Sequence, residues 1–274
     1  HKVTALNFEG TVMPEMDTQT RYFLSESSAA TGDAVATLAL ASRLFADFDA
    51  EFAEKCLESA RRGQAWLDEN PKEVVSNQSG VETGGYHSPG DGDERIWALA
   101  ELWETTGEAE YLDELEPRID GIAVDSAFDW ANVKNLGLST YVRSQREGRD
   151  GGILDGVARA FISVADGHRS FAAADSYGRA IGSYYWGVNG TLARISFNLI
   201  TAHYVQPNAG YLDTIQLELD HLFGKNSYAR SYVTGVGANS VQKPQHRPVE
   251  AAAVLAPWPC LLIWRPHSHP FGEE

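Results

Sequence analysis

Cysteine, methionine and positive charge are all scarce in this chain of 274 residues. The two cysteines, Cys56 and Cys260, are too few for a disulfide framework and lack metal-ligand spacing. Cys56 falls on an apolar helical stripe and reads as core. The eight histidines are scattered, with no pair at i, i+4, which argues against zinc. Lys and Arg total 22 against 38 Asp and Glu, a net charge of −16. A surface this negative repels phosphate backbones, so no nucleic-acid partner is expected. Missing too is any uninterrupted apolar run of the ~18 residues a membrane span needs. The longest candidate, Ala29 to Leu44, is broken by Thr31, Asp33, Thr37 and Ser42, so no membrane partner is expected either. Nothing in the sequence signals an organic cofactor. What is present, 43% apolar and 22% charged residues, suits a globular chain with a sizeable core.

The chain opens at His1 without a charged-then-apolar leader. Its first residues read as loop, and Trp264 to Pro270 carry no periodicity, so both ends are expected to be cut edges of a longer protein.

In between, apolar residues recur at spacings of three and four. Phe52, Cys56, Leu57, Ala60 and Leu67 mark a helix that stops at Asn70-Pro71. Ile96, Leu99, Ala100 and Trp103 mark a second, stopped by Gly107. Ile153, Leu154, Val157, Ala158, Phe161, Ile162 and Ala165 form a third, expected to close before Asp166-Gly167. Leu212, Ile215, Leu219 and Phe223 form a fourth, with Gly224 as its C-cap. Weaker patterns predict helices over 33–48, 109–119, 132–146 and 188–204. About eight helices with no alternating strand make the chain all-α, arranged in hairpins, and no linker divides residues 1–274 into two domains.

Between the helices lie long segments, 70–91, 120–131, 167–187 and 224–249, rich in Gly, Asn, Asp, His and aromatics. Long loops on a helical scaffold usually carry function. Tyr86, Trp130, Tyr184, Tyr185 and Trp186 lie in or beside them, as flat rings available to a ligand. Trp66, Trp97 and Trp103 sit inside helices and read as core. Ser88 to Glu94 places Asp91, Asp93 and Glu94 within four residues. Such a loop provides oxygens for a hard cation such as Ca²⁺, with Asp129 or Asn132 as further donors, or it is an acidic helix start favoured by the macrodipole. Asn77-Gln78-Ser79 and Asn189-Gly190-Thr191 fit glycosylation sequons.

The most informative stretch is Ser231 to Arg247, following Leu219 to Asn226. There Asn226, Ser231, Val233, Thr234, Gly235, Gly237, Asn239, Pro244 and Arg247 match a pattern of glycoside hydrolase family 9, the inverting β-1,4-glucanases with an (α/α)6 barrel. Four other blocks resemble that family in order: Ser28 to Arg43, Asp93 to Tyr111, Trp186 to Gly190 and Ala256 to Pro259. The resemblance covers about residues 1–263. It implies an incomplete (α/α)6 barrel, a β-1,4-glucan or cello-oligosaccharide substrate, Ca²⁺ at Asp93-Glu94, and export from the cell. It also implies sugar contact by Trp130, Tyr185, Trp186, Gln245, His246 and Arg247. Gln245 stands where the family has His, with His246 one place along as a substitute; Arg247 either binds sugar hydroxyls or orients a carboxylate.

The family's catalytic base and its partner lie in an Asp-Ala-Gly-Asp motif, and its acid is a Glu in an Asn-Glu context. Neither occurs here, and Glu273 and Glu274 lack that context. The chain alone is therefore expected to be inactive or nearly so. Two other readings stay open: a different α/α-barrel carbohydrate enzyme using Asp91, Asp129 or Asp175, or a non-catalytic sugar-binding protein.

Overall fold

The computed structural model describes residues 2–3, 11–18, 20, 22–77, 89–183, 185, 187–244, 246–252 and 256–263. Among them are nine α-helices: α1 Ser28–Phe45, α2 Ala50–Glu69, α3 Gly92–Thr106, α4 Ala109–Ile119, α5 Lys134–Arg143, α6 Gly151–Ala174, α7 Val188–Val205, α8 Ala209–Phe223 and α9 Arg247–Ala251. A 3-10 turn at Pro14–Met16 and the antiparallel two-residue strands β1 (Lys2–Val3) and β2 (Tyr22–Phe23) complete the regular structure. The all-α expectation holds. No helix of the described residues is long and apolar enough to cross a membrane. Two compact units are present, the first made of residues 1–8 and 19–161, the second of residues 9–18 and 162–274.

In the first unit, α1 packs on α2 and α3, and α3 packs on α4 and α5. The helix starts follow from local chemistry. Ser27 accepts from the Ala30 amide at 3.3 Å and Asp49 from the Phe52 amide at 3.0 Å, each satisfying an orphan donor of the first turn. At the end of α2 the Asn70 side chain donates to the Trp66 carbonyl at 2.8 Å, and Pro71 follows. The buried face of α1 is built from small residues (Ser28, Gly32, Ala36, Ala39 and Ser42) with Val35. Small residues let α3 come close: a Cβ on Gly32 would lie 2.7 Å from the Glu94 Cβ. Helix α3 is accordingly buried over most of its surface, with Ala98, Leu99, Ala100 and Leu102 inaccessible.

A polar hub locks these helices. Buried Glu101 of α3 forms an ion pair with Arg43 of α1 and accepts from the Thr140 hydroxyl of α5 at 2.6 Å and the Trp97 indole at 3.2 Å. Arg43 also donates to the Glu101 carbonyl at 2.9 Å. Three helices thus share one carboxylate.

Two sequence expectations need correction. The third stripe does not end at Asp166-Gly167; α6 runs on to Ala174. An interior glycine costs only about 1 kcal/mol relative to alanine, and the buried face continues through Phe161, Ala165, His168 and Ala172. Small and polar members hid that continuation from a hydrophobicity reading. In α8 the helix forms, but Leu212, Leu219 and Phe223 are exposed, whereas Tyr211, Thr214, Glu218, His221 and Leu222 are buried. Two of the polar members are hydrogen-bonded, one within α8 and one to a distant loop. Thr214 donates to the Gly210 carbonyl at 2.9 Å and Glu218 accepts from the Ala180 amide at 2.6 Å.

In the second unit α7 and α8 form a hairpin joined by residues 206–208. Asn208 caps α8 through the Gly210 amide at 3.0 Å, and its own amide donates to His203 Nδ1 at 3.1 Å.

Candidate functional site

In the first unit the acidic segment opens α3. Asp91 is the N-cap residue, yet its carboxylate turns to Arg95, 2.9 Å away. Arg95 is buried and donates to the carbonyls of Leu67 and Asn70 at 3.0 and 2.7 Å, so it closes the C-terminus of α2. Burial works to raise the Asp91 carboxyl, but hydrogen bonds from Arg95 and Ser28 prevail and hold it below the usual carboxylate range. Asp93 accepts from the Val133 amide at 2.7 Å, which fixes the turn at Asp129–Asn132 that carries half-exposed Trp130. Glu94 is buried against α1.

Asp33 on α1 joins this segment. Its Oδ1 is buried and has no hydrogen-bond partner among the described residues. Burial, and then the charge of Asp93, push its carboxyl up to about 6. The sequence signal was an acid inside a small-residue helix, which read only as an interruption of an apolar run. Among the described residues no group of three or more His, Cys, Asp or Glu is gathered to hold a metal ion. Ca²⁺ needs six to eight oxygens, and with Asp91 committed to Arg95 the described donors make only part of such a shell. Residues 78–88, including Tyr86 and Ser88, lie outside the described residues.

In the second unit the loop after α8 is an interlocked frame. Asn226 donates to the carbonyls of His221 and Arg230 at 2.7 and 2.8 Å and accepts from the Tyr228 amide at 3.1 Å, turning the chain back on α8. Ser231 bridges to Ser240, and Asn239 donates to the Ala229 carbonyl at 2.8 Å. Thr234 is fully buried. Its hydroxyl donates to the Trp258 carbonyl at 2.6 Å and accepts from the Leu261 amide at 2.9 Å. Its carbonyl accepts from the Cys260 amide at 2.8 Å. The polar residues of this stretch that match the family pattern are thus spent on backbone.

On that frame the rings of His246 and Trp258 meet edge to face at 5.4 Å. His246 is the residue before α9, and Arg247, exposed, is the first residue within it. Trp258 is 43% exposed. In the sequence Trp258 stands only as part of the Ala256 to Pro259 motif, and its partnership with His246 comes from the fold. Tyr185, also partly exposed, donates its hydroxyl to Thr191 at 2.8 Å at the start of α7. Trp186, Gln245 and Tyr184 lie outside the described residues. Asn189, read as a sequon, is fully buried and donates to the Ile263 carbonyl at 2.7 Å. That side chain braces the frame and is closed to a glycosyl group.

The profile of the family described as Glycosyl hydrolase family 9 matches residues 4–262. The chain belongs to this family. Endoglucanase D of Acetivibrio thermocellus is 41% identical over 266 residues, 96% of this chain and 43% of that protein. A cellodextrinase of Butyrivibrio fibrisolvens is 31% identical over 98% of this chain and 52% of its own length. A crystal structure of a metagenome-derived glycoside hydrolase family 9 endoglucanase superposes with a TM-score of 0.87 at 32% identity, covering 99% of this chain and 50% of that one. A structure of AaCel9A in complex with cellobiose-like isofagomine gives 0.86 at 29% identity, covering 96% and 50%. The chain therefore spans about half the length of the relatives it matches, and its fold is the incomplete (α/α)6 barrel expected.

Against the family 9 frame the candidate acids can be sorted. Asp175 accepts from the amides of Tyr177 and Arg179 at 2.9 and 3.1 Å and from the Arg179 guanidinium at 2.6 Å. Those bonds, the guanidinium first, hold its carboxyl at about 2, permanently ionised and useless as a proton donor. Asp129 accepts from the Ala131 amide at 2.9 Å inside its turn. Asp91 is bound to Arg95. Each of the three is engaged in local structure.

Cys260 is a non-glycine residue in left-handed backbone, with φ +66°. A side chain in left-handed backbone costs about 1–2 kcal/mol. Cys260→Gly should therefore raise the melting temperature by about 2–4 °C, read by calorimetry. An unchanged or lower value would show that this backbone is unstrained.

Proposed function

We propose that this chain is the glucan-binding portion of an inverting β-1,4-glucanase. Its substrate is a β-1,4-glucan or a cello-oligosaccharide. The observation that supports this best is the pairing of His246 with half-exposed Trp258, with Arg247 next in sequence, on the rigid loop that the family pattern shares. An exposed indole packs on pyranose C–H faces while imidazole and guanidinium donate to the hydroxyl rim. Tyr185 supplies a second ring, and Trp186 and Gln245 belong to the same reading. Inversion requires two carboxyl groups ~6.5–9.5 Å apart, and this chain lacks the motifs that supply them.

Binding is tested by quenching of tryptophan fluorescence with cellohexaose. The chain should bind, and Trp258→Ala should weaken binding about tenfold, or ~1.4 kcal/mol. Equal affinity of the two proteins would remove Trp258 from the site. Turnover by the unmodified chain would instead favour a different enzyme using acids present here.

A Ca²⁺ ion on the segment Asp91, Asp93 and Glu94 is part of the same proposal. It is supported by Asp33, whose buried Oδ1 has no hydrogen-bond partner among the described residues and whose carboxyl is pushed up by burial and then by the charge of Asp93. An ion bound only by the folded state stabilises it by about 2.7 kcal/mol at a hundred times its Kd. Melting in millimolar calcium should occur several degrees above melting in chelator, and coincident curves would reject the ion.

A further inference from the structure

We propose that Glu218 is a positioning residue that clasps the segment leading to Tyr185 onto α8, and so sets the sugar platform of the preceding reading, on which this inference rests. Residues 175–183 form a tight loop after α6. Asp175 gathers the amides of Tyr177 and Arg179 and the Arg179 guanidinium, and its carbonyl accepts from the Gly178 amide at 3.0 Å. At Gly178, φ +71°, the loop touches α8 so closely that a Cβ would lie 2.8 Å from Leu217 Cδ1. Two residues on, the Ala180 amide donates to Glu218 Oε1 at 2.6 Å. Ala180 and Ile181 are buried beneath this contact. Tyr185 follows after a short span, anchored at its far end to Thr191.

Glu218 has no catalytic access, being 1% exposed. Its Oε2 is buried and has no hydrogen-bond partner among the described residues. A carboxylate would leave a buried charge with one amide for company, whereas a carboxylic acid fits. Burial pushes the carboxyl up to about 8; it outweighs the Ala180 amide bond and the charge of Arg179, which both favour ionisation, and Asp175 adds to it. One turn along α8, buried His221 is kept neutral by the same burial, down to about 4, and its ring faces that of Tyr232 at 5.7 Å.

The sign follows from the raised value. The clasp is at full strength in acid and is lost as pH rises through about 8, when the buried charge forms. The Ala180 bond survives in Glu218→Gln, which presents the same oxygen without a titrating proton.

The test is backbone hydrogen exchange of residues 178–185, corrected for intrinsic rates, at pH 6.5 and 9, with cellohexaose affinity measured on the same samples. Wild type should lose at least tenfold protection in this segment between the two pH values. Glu218→Gln should show no such loss. Glu218→Ala should be unprotected at both; if it does not fold, the glutamine variant decides alone. The same pH response in Glu218→Gln as in wild type, or none in wild type, would overturn the clasp. If protection falls while cellohexaose affinity holds, the clasp stands and the sugar contact of Tyr185 is what fails.

Discussion

Carboxymethylcellulose incubated with this chain alone should release no more than traces of reducing sugar. The expectation follows from which groups are free to move protons. General acid and general base assistance each contribute about 10²–10⁴-fold, and the three acids that the sequence puts forward as alternatives are engaged in local structure. Asp175 is held ionised by Arg179, Asp91 is paired with Arg95, and Asp129 closes its own turn. Glu218 keeps its proton near neutrality but is sealed from substrate. On the proposed reading the His246–Trp258 pair and Arg247 bind a sugar, but uniform binding of substrate and transition state leaves kcat where it was. Joining the family's Asp-Ala-Gly-Asp segment and its Asn-Glu terminus to this chain should restore activity by at least about 10⁴-fold. Asn in place of the restored base should abolish it again. Robust turnover by the chain as it stands, in preparations free of contaminating enzyme, would mean that the catalytic carboxylates are among those assigned here to structure.

The largest loss of stability from a single change is expected at Glu101. Its side chain is 4% exposed and serves Arg43, Thr140 and Trp97, which belong to α1, α5 and α3. Alanine there leaves a guanidinium, a hydroxyl and an indole N–H without their acceptor. Removing one partner of a buried pair costs about 3–5 kcal/mol because the other charge stays uncompensated. Domains are stable by only about 5–15 kcal/mol in total, so Glu101→Ala should lower the urea midpoint severely or prevent folding. Glu101→Gln, which keeps shape and one acceptor, should lose less. Near-equal midpoints for wild type and the alanine variant would show that the hub is ornamental to stability. Arg43 is the partner best placed to escape, since a quarter of its side chain reaches solvent, and the loss is therefore expected toward the lower end of that range.

Much of the helical order was already legible as local chemistry. Helix α3 begins and ends where the pattern places it, because Gly107 stops it and the apolar spacing of Ile96, Leu99 and Trp103 is undisturbed. Helix α4 likewise matches 109–119. Caps such as Asp49 and stops such as Asn70-Pro71 act within one turn, so no distant residue is needed to foresee them. The family followed from residues too, since Asn226, Ser231, Thr234 and Asn239 recur as a set.

Their purpose did not. That Thr234 spends its hydroxyl on Trp258 and Leu261, or that Asn189 spends its amide on Ile263, depends on segments far apart in sequence meeting in space. The same holds for burial. Hydropathy set the inward face of α8 on Leu212, Leu219 and Phe223, yet Glu218 and His221 lie inside. One oxygen of Glu218 finds its partner in the amide of Ala180, on a loop 38 residues away, which no periodicity announces. Sequence by itself thus determined the helices, their order and the family, because propensity, capping and periodicity are short-range. Tertiary structure alone decided which carboxylates are committed to structure, because pairing and desolvation depend on what the fold brings within a few ångströms.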